Sequence, residues 1–368
     1  MKNKLLKNTE WSVLIYSLIL FAIGAVALFS ATQSTELAEF KKQLQWFAVS
    51  IPFLVLAATI DYNVITRFSP IVYIIFIGLL VGVLFTEPIN GATSWYQITD
   101  SLSFQPSELA KIIYIMFMAY VVNKLQMRGK DEINKPWKLL IAISVAVVPL
   151  LLIIKQPDFG TALAYITATV FMIFAAGIDK KYIIAVVAII IIAAPVIYGA
   201  LPGHALKRIN VFLDPESDAR GAGYNVIQSK LAIGAGKIFG MGLLKGNQTQ
   251  LGFLHPKTTD FIFSVIGEEL GFVATGTIVI LYTMLITKAI FIAKTAKDNV
   301  GSYIAIGIAG ILSFHMIENI GMTIGLLPIT GVPLPFVSYG GSSLITNFIF
   351  IGMLLNISAR RQKSIFVE

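Results

Sequence analysis

At 368 residues, 56% of them hydrophobic and 13% charged, the chain is too apolar for a soluble protein, whose domains carry about 25% charged residues. It has no cysteine, which excludes disulfides, thiolate catalysis and cysteine-ligated metals. Its net charge of +8 does not point to nucleic acid, because the basic residues are scattered through short polar connections rather than gathered on one face.

Apolar runs of bilayer length recur from end to end and predict one polytopic, all-α membrane domain over residues 1–368. Lys2, Lys4 and Lys7 precede an apolar run from Trp11 to Ala31 that is too long for a signal peptide and reads as the first transmembrane helix. Further spans are expected at about 45–60, 68–86, 107–124, 139–154, 159–178, 182–200, 261–287, 301–323 and 340–358. Ten helices place both termini on one side. If that side is cytoplasmic, 17 of the 28 basic residues fall on it, while the external connection 87–104 holds none. The long loop 201–258, between helices seven and eight, is then extracellular.

That loop contains Pro202, Pro215 and Pro256. Within it, Tyr224, Ile227 and Leu231 recur at helical spacing between Asn225, Gln228 and Lys230, so a helix is expected over 223–237. It would lie on the membrane surface, or form a lid or floor over a polar cavity. Gly234, Gly236, Gly240 and Gly242 lack the spacing and parallel-sheet context of a phosphate loop.

Polar residues inside or beside the spans are costly and mark candidate sites. Asp260 stands where the long loop meets Phe261-Ile262-Phe263. Glu108 and Lys111 share one face at the start of the fourth helix, as an ion pair, a cavity lining or both. Lys155-Gln156-Pro157-Asp158 forms a turn at the same membrane face as Asp260. His315, Glu318 and Asn319 lie at i, i+3 and i+4 of the ninth helix, a spacing that suits a buried cluster tying helices together better than a metal site or proton relay. The segment from Leu327 to Ser343 is broken by Pro328, Pro333, Pro335, Gly340 and Gly341 and must line a cavity or be buried in protein, which brings in Ser338 and Ser342.

Five stretches, Gly91 to Trp95, Gln105 to Lys111, Gln156 to Leu163, Thr259 to Gly271 and Asn319 to Ser343, resemble in the same order the SEDS family (shape, elongation, division and sporulation), on its rod-shape branch. The resemblance implies a ten-helix peptidoglycan glycosyltransferase of the bacterial cytoplasmic membrane. Such an enzyme polymerises lipid II at the outer face and releases undecaprenyl diphosphate, working with a class B penicillin-binding protein. It places the family's essential acid on Asp260, its acid–base pair on Glu108 and Lys111 and its loop tryptophan on Trp95. The chain departs from the family at His255-Pro256-Lys257-Thr258, where Pro-Glu-x-His is usual, and at Thr93-Ser94, where an arginine often stands beside the tryptophan.

The expected reaction is attack by an acceptor hydroxyl on the anomeric carbon of a lipid-diphosphate donor, with Asp260 as general base, a step worth about 10²–10⁴-fold. Lys111, Lys155, Arg208 and Lys257 are candidates to stabilise the departing diphosphate. No cofactor is required by the sequence, though a divalent cation would suit that leaving group. With no obligate second carboxylate in view, an inverting single displacement is expected. The alternatives are a lipid II flippase and a scaffold for a crosslinking enzyme.

Overall fold

Each of the ten apolar stretches forms a helix in the computed structural model, which describes residues 8–88, 92–99, 102–200, 203–218 and 221–361. The first seven are α1 (Ser12–Ala31), α2 (Ala38–Thr59), α3 (Tyr62–Gly82), α4 (Pro106–Leu125), α5 (Pro136–Lys155), α6 (Phe159–Ala175) and α7 (Lys180–Ala200). Three shorter helices follow, α8 (Gly203–Leu213), α9 (Ala222–Ala235) and the single turn α10 (Asn247–Gln250). The last three are α11 (Ile262–Thr295), α12 (Asn299–Thr323) and α13 (Gly341–Ala359). Gly91 and the terminal Lys2, Lys4, Lys7 and Lys363 lie outside the described residues.

Local chemistry sets the helix starts. Pro106 and Pro136 occupy the first helical positions of α4 and α5, where a missing N–H costs nothing. Asp61, Asp158 and Asp298 cap α3, α6 and α12 by accepting the N–H groups of Asn63 (2.9 Å), Thr161 (3.1 Å) and Gly301 (2.8 Å). Such caps contribute about 1 kcal/mol each.

Among the described residues six helices are long and apolar enough to span a bilayer by composition alone, namely α1, α3, α5, α11, α12 and α13. Together with the remaining long helices they make an all-α integral membrane bundle. Of those six, α12 and α13 are the most enclosed. α13 packs on α2, α12 on α11 and α6, α3 on α4, and α1 on α11. α2 and α4 carry charged residues at the end where the candidate site forms, namely Glu39 and the Glu108–Lys111 pair.

The opposite end is tied by ion pairs. Glu10 meets Lys288 (3.3 Å) and Arg361 (2.7 Å), and Arg360 meets Asp61 (3.2 Å).

Two features were not expected from the sequence. Tyr96–Thr99 (β1) and Leu102–Phe104 (β2) pair as an antiparallel hairpin before α4. In addition, α11 is broken at Gly271, whose φ of 76° lies in a region open mainly to glycine. Nine residues of helix precede the break, so it sits about 14 Å into the bundle.

The backbone groups freed by the break find partners in the 237–242 loop. Met241 and Gly242 donate their N–H groups to the Glu268 and Glu269 carbonyls (2.9 and 3.0 Å). Phe272 and Val273 donate to the Lys237 and Ile238 carbonyls (2.9 and 3.1 Å). Gly240 has to be glycine there, because a Cβ would stand 2.1 Å from the Glu269 carbonyl oxygen. Irregular backbone is tolerated at membrane depth only with such protein partners, and this is the physical role of the glycine-rich stretch.

The helix expected over 223–237 is α9. It docks against the bundle rather than lying free on its surface: Ser229 donates to the Thr323 carbonyl (2.6 Å) and lies 2.6 Å from the Ser264 hydroxyl. Val226 and Ala232 are buried, while Ile238 and Phe239 beyond its end are exposed.

Candidate active site

The end of α1, the starts of α2, α11 and α13, the segment between α12 and α13, and the connection before α4 converge at one end of the bundle. They enclose a cleft of about 590 Å³. Of the residues named from the sequence, Asp260, Lys257, His255, Trp95 and Ser342 are among those that line it, and Glu39 joins them.

Asp260 is held through its backbone. Three consecutive carbonyls are each fixed by one donor: Thr258 by the Tyr339 N–H (2.9 Å), Thr259 by the Ser338 hydroxyl (2.6 Å) and Asp260 by the Asn319 amide (3.0 Å). Its carboxyl points toward Gly331, where a Cβ would come within 3.4 Å of Oδ2. The side chain is recessed and half-buried. Burial pushes its pKa above the usual carboxylate value, against the opposing influence of Thr259, Arg208 and His255. Lys257 donates to the Thr249 carbonyl (3.0 Å), and burial lowers its pKa while Glu39 and Glu269 oppose that shift.

The wall facing Asp260 is the Pro- and Gly-punctuated segment between α12 and α13. His315, Glu318 and Asn319 grip it from one face of α12, at Pro333 O (3.0 Å), the Thr330 hydroxyl (2.8 Å) and Val332 O (2.8 Å). Ser338 accepts the Leu334 N–H (2.8 Å), and Gln43 of α2 bridges Ser338 O (3.0 Å) and Gly340 N–H (3.2 Å).

Glu108 and Lys111 lie behind this wall, 3% and 2% exposed, rather than on the cleft surface. They pair at 2.7 Å, and the Lys111 ammonium also lies 3.3 Å from His315 Nε2. A carbonyl can only accept, so His315 carries its proton on Nδ1, facing Pro333 O, and Nε2 accepts from Lys111. An ion pair this deep is held by its own complementarity and has no need of substrate to neutralise it.

Asp158 and Gln156 also sit behind the cleft. Asp158 caps α6 and accepts from Gln105 (2.9 Å), whose own N–H approaches Ser342 Oγ (3.5 Å). Gln156 is fully buried and donates to Leu80 O (3.0 Å). Arg208 reaches the outer side of the wall at Thr330 O (3.4 Å), and Ser338 is an internal brace.

Sequence reasoning missed Glu39, which adds a second carboxylate to the cleft. α2 begins at Ala38, earlier than its apolar run, because Glu39, Lys41 and Lys42 mask its first turn. It also missed Glu268, which is buried and accepts the Gln248 N–H (2.7 Å), the Thr249 N–H (3.0 Å) and the Thr249 hydroxyl (2.6 Å) to fix α10.

Gly341 is the tightest glycine in the cleft wall, since a Cβ would stand 2.4 Å from the Trp46 ring, whereas one at Gly340 would meet only Ser343 Cβ at 3.6 Å. Gly341→Val is expected to cost about 1–3 kcal/mol through overpacking. Gly340→Ala should be the milder change, and thermal unfolding of the two variants checks the ranking.

A profile of the FtsW/RodA/SpoVE family, described as cell cycle protein, matches residues 10–363. The chain is 36% identical to the peptidoglycan glycosyltransferase MrdB of Escherichia coli K12, covering 97% of each. It is 37% identical to a probable peptidoglycan glycosyltransferase FtsW of Trichlorobacter lovleyi, over 94% of this chain and 92% of that one. Its fold matches RodA of Thermus thermophilus with a TM-score of 0.71 at 24% identity, covering 97% and 98% of the two chains. It matches a chain of a peptidoglycan synthase complex that coordinates polymerization and crosslinking with a TM-score of 0.83, also at 24% identity, over 97% and 99%.

Proposed function

The chain belongs to the FtsW/RodA/SpoVE family, and from that premise we propose that it is a peptidoglycan glycosyltransferase that polymerises lipid II with Asp260 as general base. The observation that carries this reading is a recessed carboxylate and a lysine together in one cleft, where a membrane bundle opens to water. The Asp260 carboxylate takes the proton of an acceptor GlcNAc hydroxyl as that oxygen bonds to the donor's anomeric carbon. The carbon–oxygen bond to the lipid diphosphate breaks with inversion, and undecaprenyl diphosphate leaves with the bonding electrons. Lys257, in the same cleft, is placed to offset the charge that develops on it.

Among the described residues no group of three His, Asp or Glu side chains forms a metal cage. Glu39 also lines the cleft, an oxygen donor that would suit a hard cation carried by the diphosphate. Such a cation would supply further charge neutralisation.

The raised pKa of Asp260 sets two pH effects. The acidic limb of kcat/KM should lie above about 3.9, the ordinary aspartate value. Because folding favours the neutral acid, this stabilising contribution is present below the unfolded pKa and is lost as pH rises through the folded one. Asp260→Asn should therefore be at least as thermally stable as wild type at neutral pH.

The cleft faces outward if both termini are cytoplasmic. Single cysteines at Ser217 and Lys297, both exposed, should then label with an impermeant reagent from opposite sides of the membrane. Labelling of both from outside contradicts the orientation. A class B penicillin-binding protein is the proposed partner, supported by the fold shared with a synthase complex. Purified protein incubated with labelled lipid II should yield a ladder of glycan chains. Translocation of lipid II across vesicles without a ladder would replace the reading with transport.

A further inference from the structure

We propose that Asn319 is the positioning residue for Asp260, an assignment that rests on the reading of Asp260 as the base. Asn319 is fully buried on α12 and spends both amide hydrogens on backbone carbonyls, Asp260 O at 3.0 Å and Val332 O at 2.8 Å. These belong to the two walls of the cleft, 59 residues before it and 13 after it. Tyr339 and Ser338 hold the carbonyls of Thr258 and Thr259, which leaves Asn319 as the side chain that fixes the peptide following Asp260. Val332 directly follows Gly331, the residue toward which the Asp260 carboxyl points. One amide therefore sets how far the carboxylate stands from the wall it faces.

The choice of residue follows from this geometry. Only a side chain with two donors on one nitrogen can serve both carbonyls from one helical position, and an apolar replacement strands two buried acceptors. Aspartate has the same shape but, when ionised, sets a negative charge against the two carbonyl oxygens.

The test compares steady-state kinetics of purified Asn319→Asp, Asn319→Ser and Thr330→Val on lipid II. Serine keeps one donor. Thr330→Val cuts the Glu318 contact to the same wall without touching Asp260. Asn319→Asp should lower kcat about 10²-fold and Asn319→Ser less, since small misplacements of a reacting group cost that much, with KM changed by no more than about threefold. Thr330→Val should keep kcat within about threefold. Where Asn319→Asp does not purify in folded form, Asn319→Ser is read by the same criterion.

In an Asp260→Glu background, whose carboxylate is already displaced, the Asn319 change should cost much less than in wild type. An undiminished loss in that background overturns the proposal, as does a rise in KM with kcat intact, or a Thr330→Val loss equal to that of Asn319→Asp. Polymer made by wild type in the same assay separates these results from a failure of the glycosyltransferase reading.

Discussion

Lys111→Ala and Glu108→Ala should each destabilise the protein by about 3–5 kcal/mol, because each leaves a buried charge without its counter-ion. The pair is 2.7 Å apart with side chains 2% and 4% exposed. Among the described residues Glu108 Oε2 has no hydrogen-bond partner, and Lys111, on Oε1, is the counter-ion of the carboxylate. The loss should extend to activity, since Lys111 also supports His315, and His315 holds Pro333 in the cleft wall. Removing both charges together, as in Glu108→Ala with Lys111→Ala, should cost less than the sum of the single changes, because neither buried charge is then stranded. Unfolding free energies for the four proteins of that cycle check the point, and strict additivity would show that the two residues act separately.

Asp260→Asn should lower the polymerisation rate by about 10²–10⁴-fold, the usual contribution of a positioned general base. The amide keeps the shape of the carboxyl and cannot take the acceptor's proton. A purely structural role as a helix cap would predict a nearly silent change, since Asn caps as well as Asp. The geometry disfavours that role: α11 starts after Phe261 and has no side-chain cap bond. Asp260→Glu keeps the acid but moves it by one methylene, and its rate should fall about 10²-fold. Initial rates of glycan formation at matched substrate occupancy test both changes.

The membrane bundle was legible because apolar periodicity and loop charge are properties of neighbouring residues, and each of the ten expected stretches is helical. The site was legible where one residue broke the hydrophobic pattern, as Asp260 does beside Phe261, or where two charges shared a helix face, as Glu108 and Lys111 do. What sequence spacing cannot give is depth. It offered Glu108 and Lys111 as an ion pair, a cavity lining or both, and the fold makes them a pair behind the wall, with His315 between them and Pro333. Glu39 went unnoticed because its place in the cleft depends on how α2 packs against α13. The break at Gly271 was equally hidden, since its backbone partners lie some thirty residues earlier, in a stretch whose glycines suggest a loop without saying what it touches.

The central claim is that Asp260 performs the proton transfer of glycosyl transfer and is not needed to hold the substrate. Binding and polymerisation measured on a single preparation of purified Asp260→Asn, beside wild type, test it most directly. Lipid II should bind the variant with wild-type affinity, and no glycan ladder should form while wild type makes one. Glycan made by the variant at near wild-type rate would contradict the assignment.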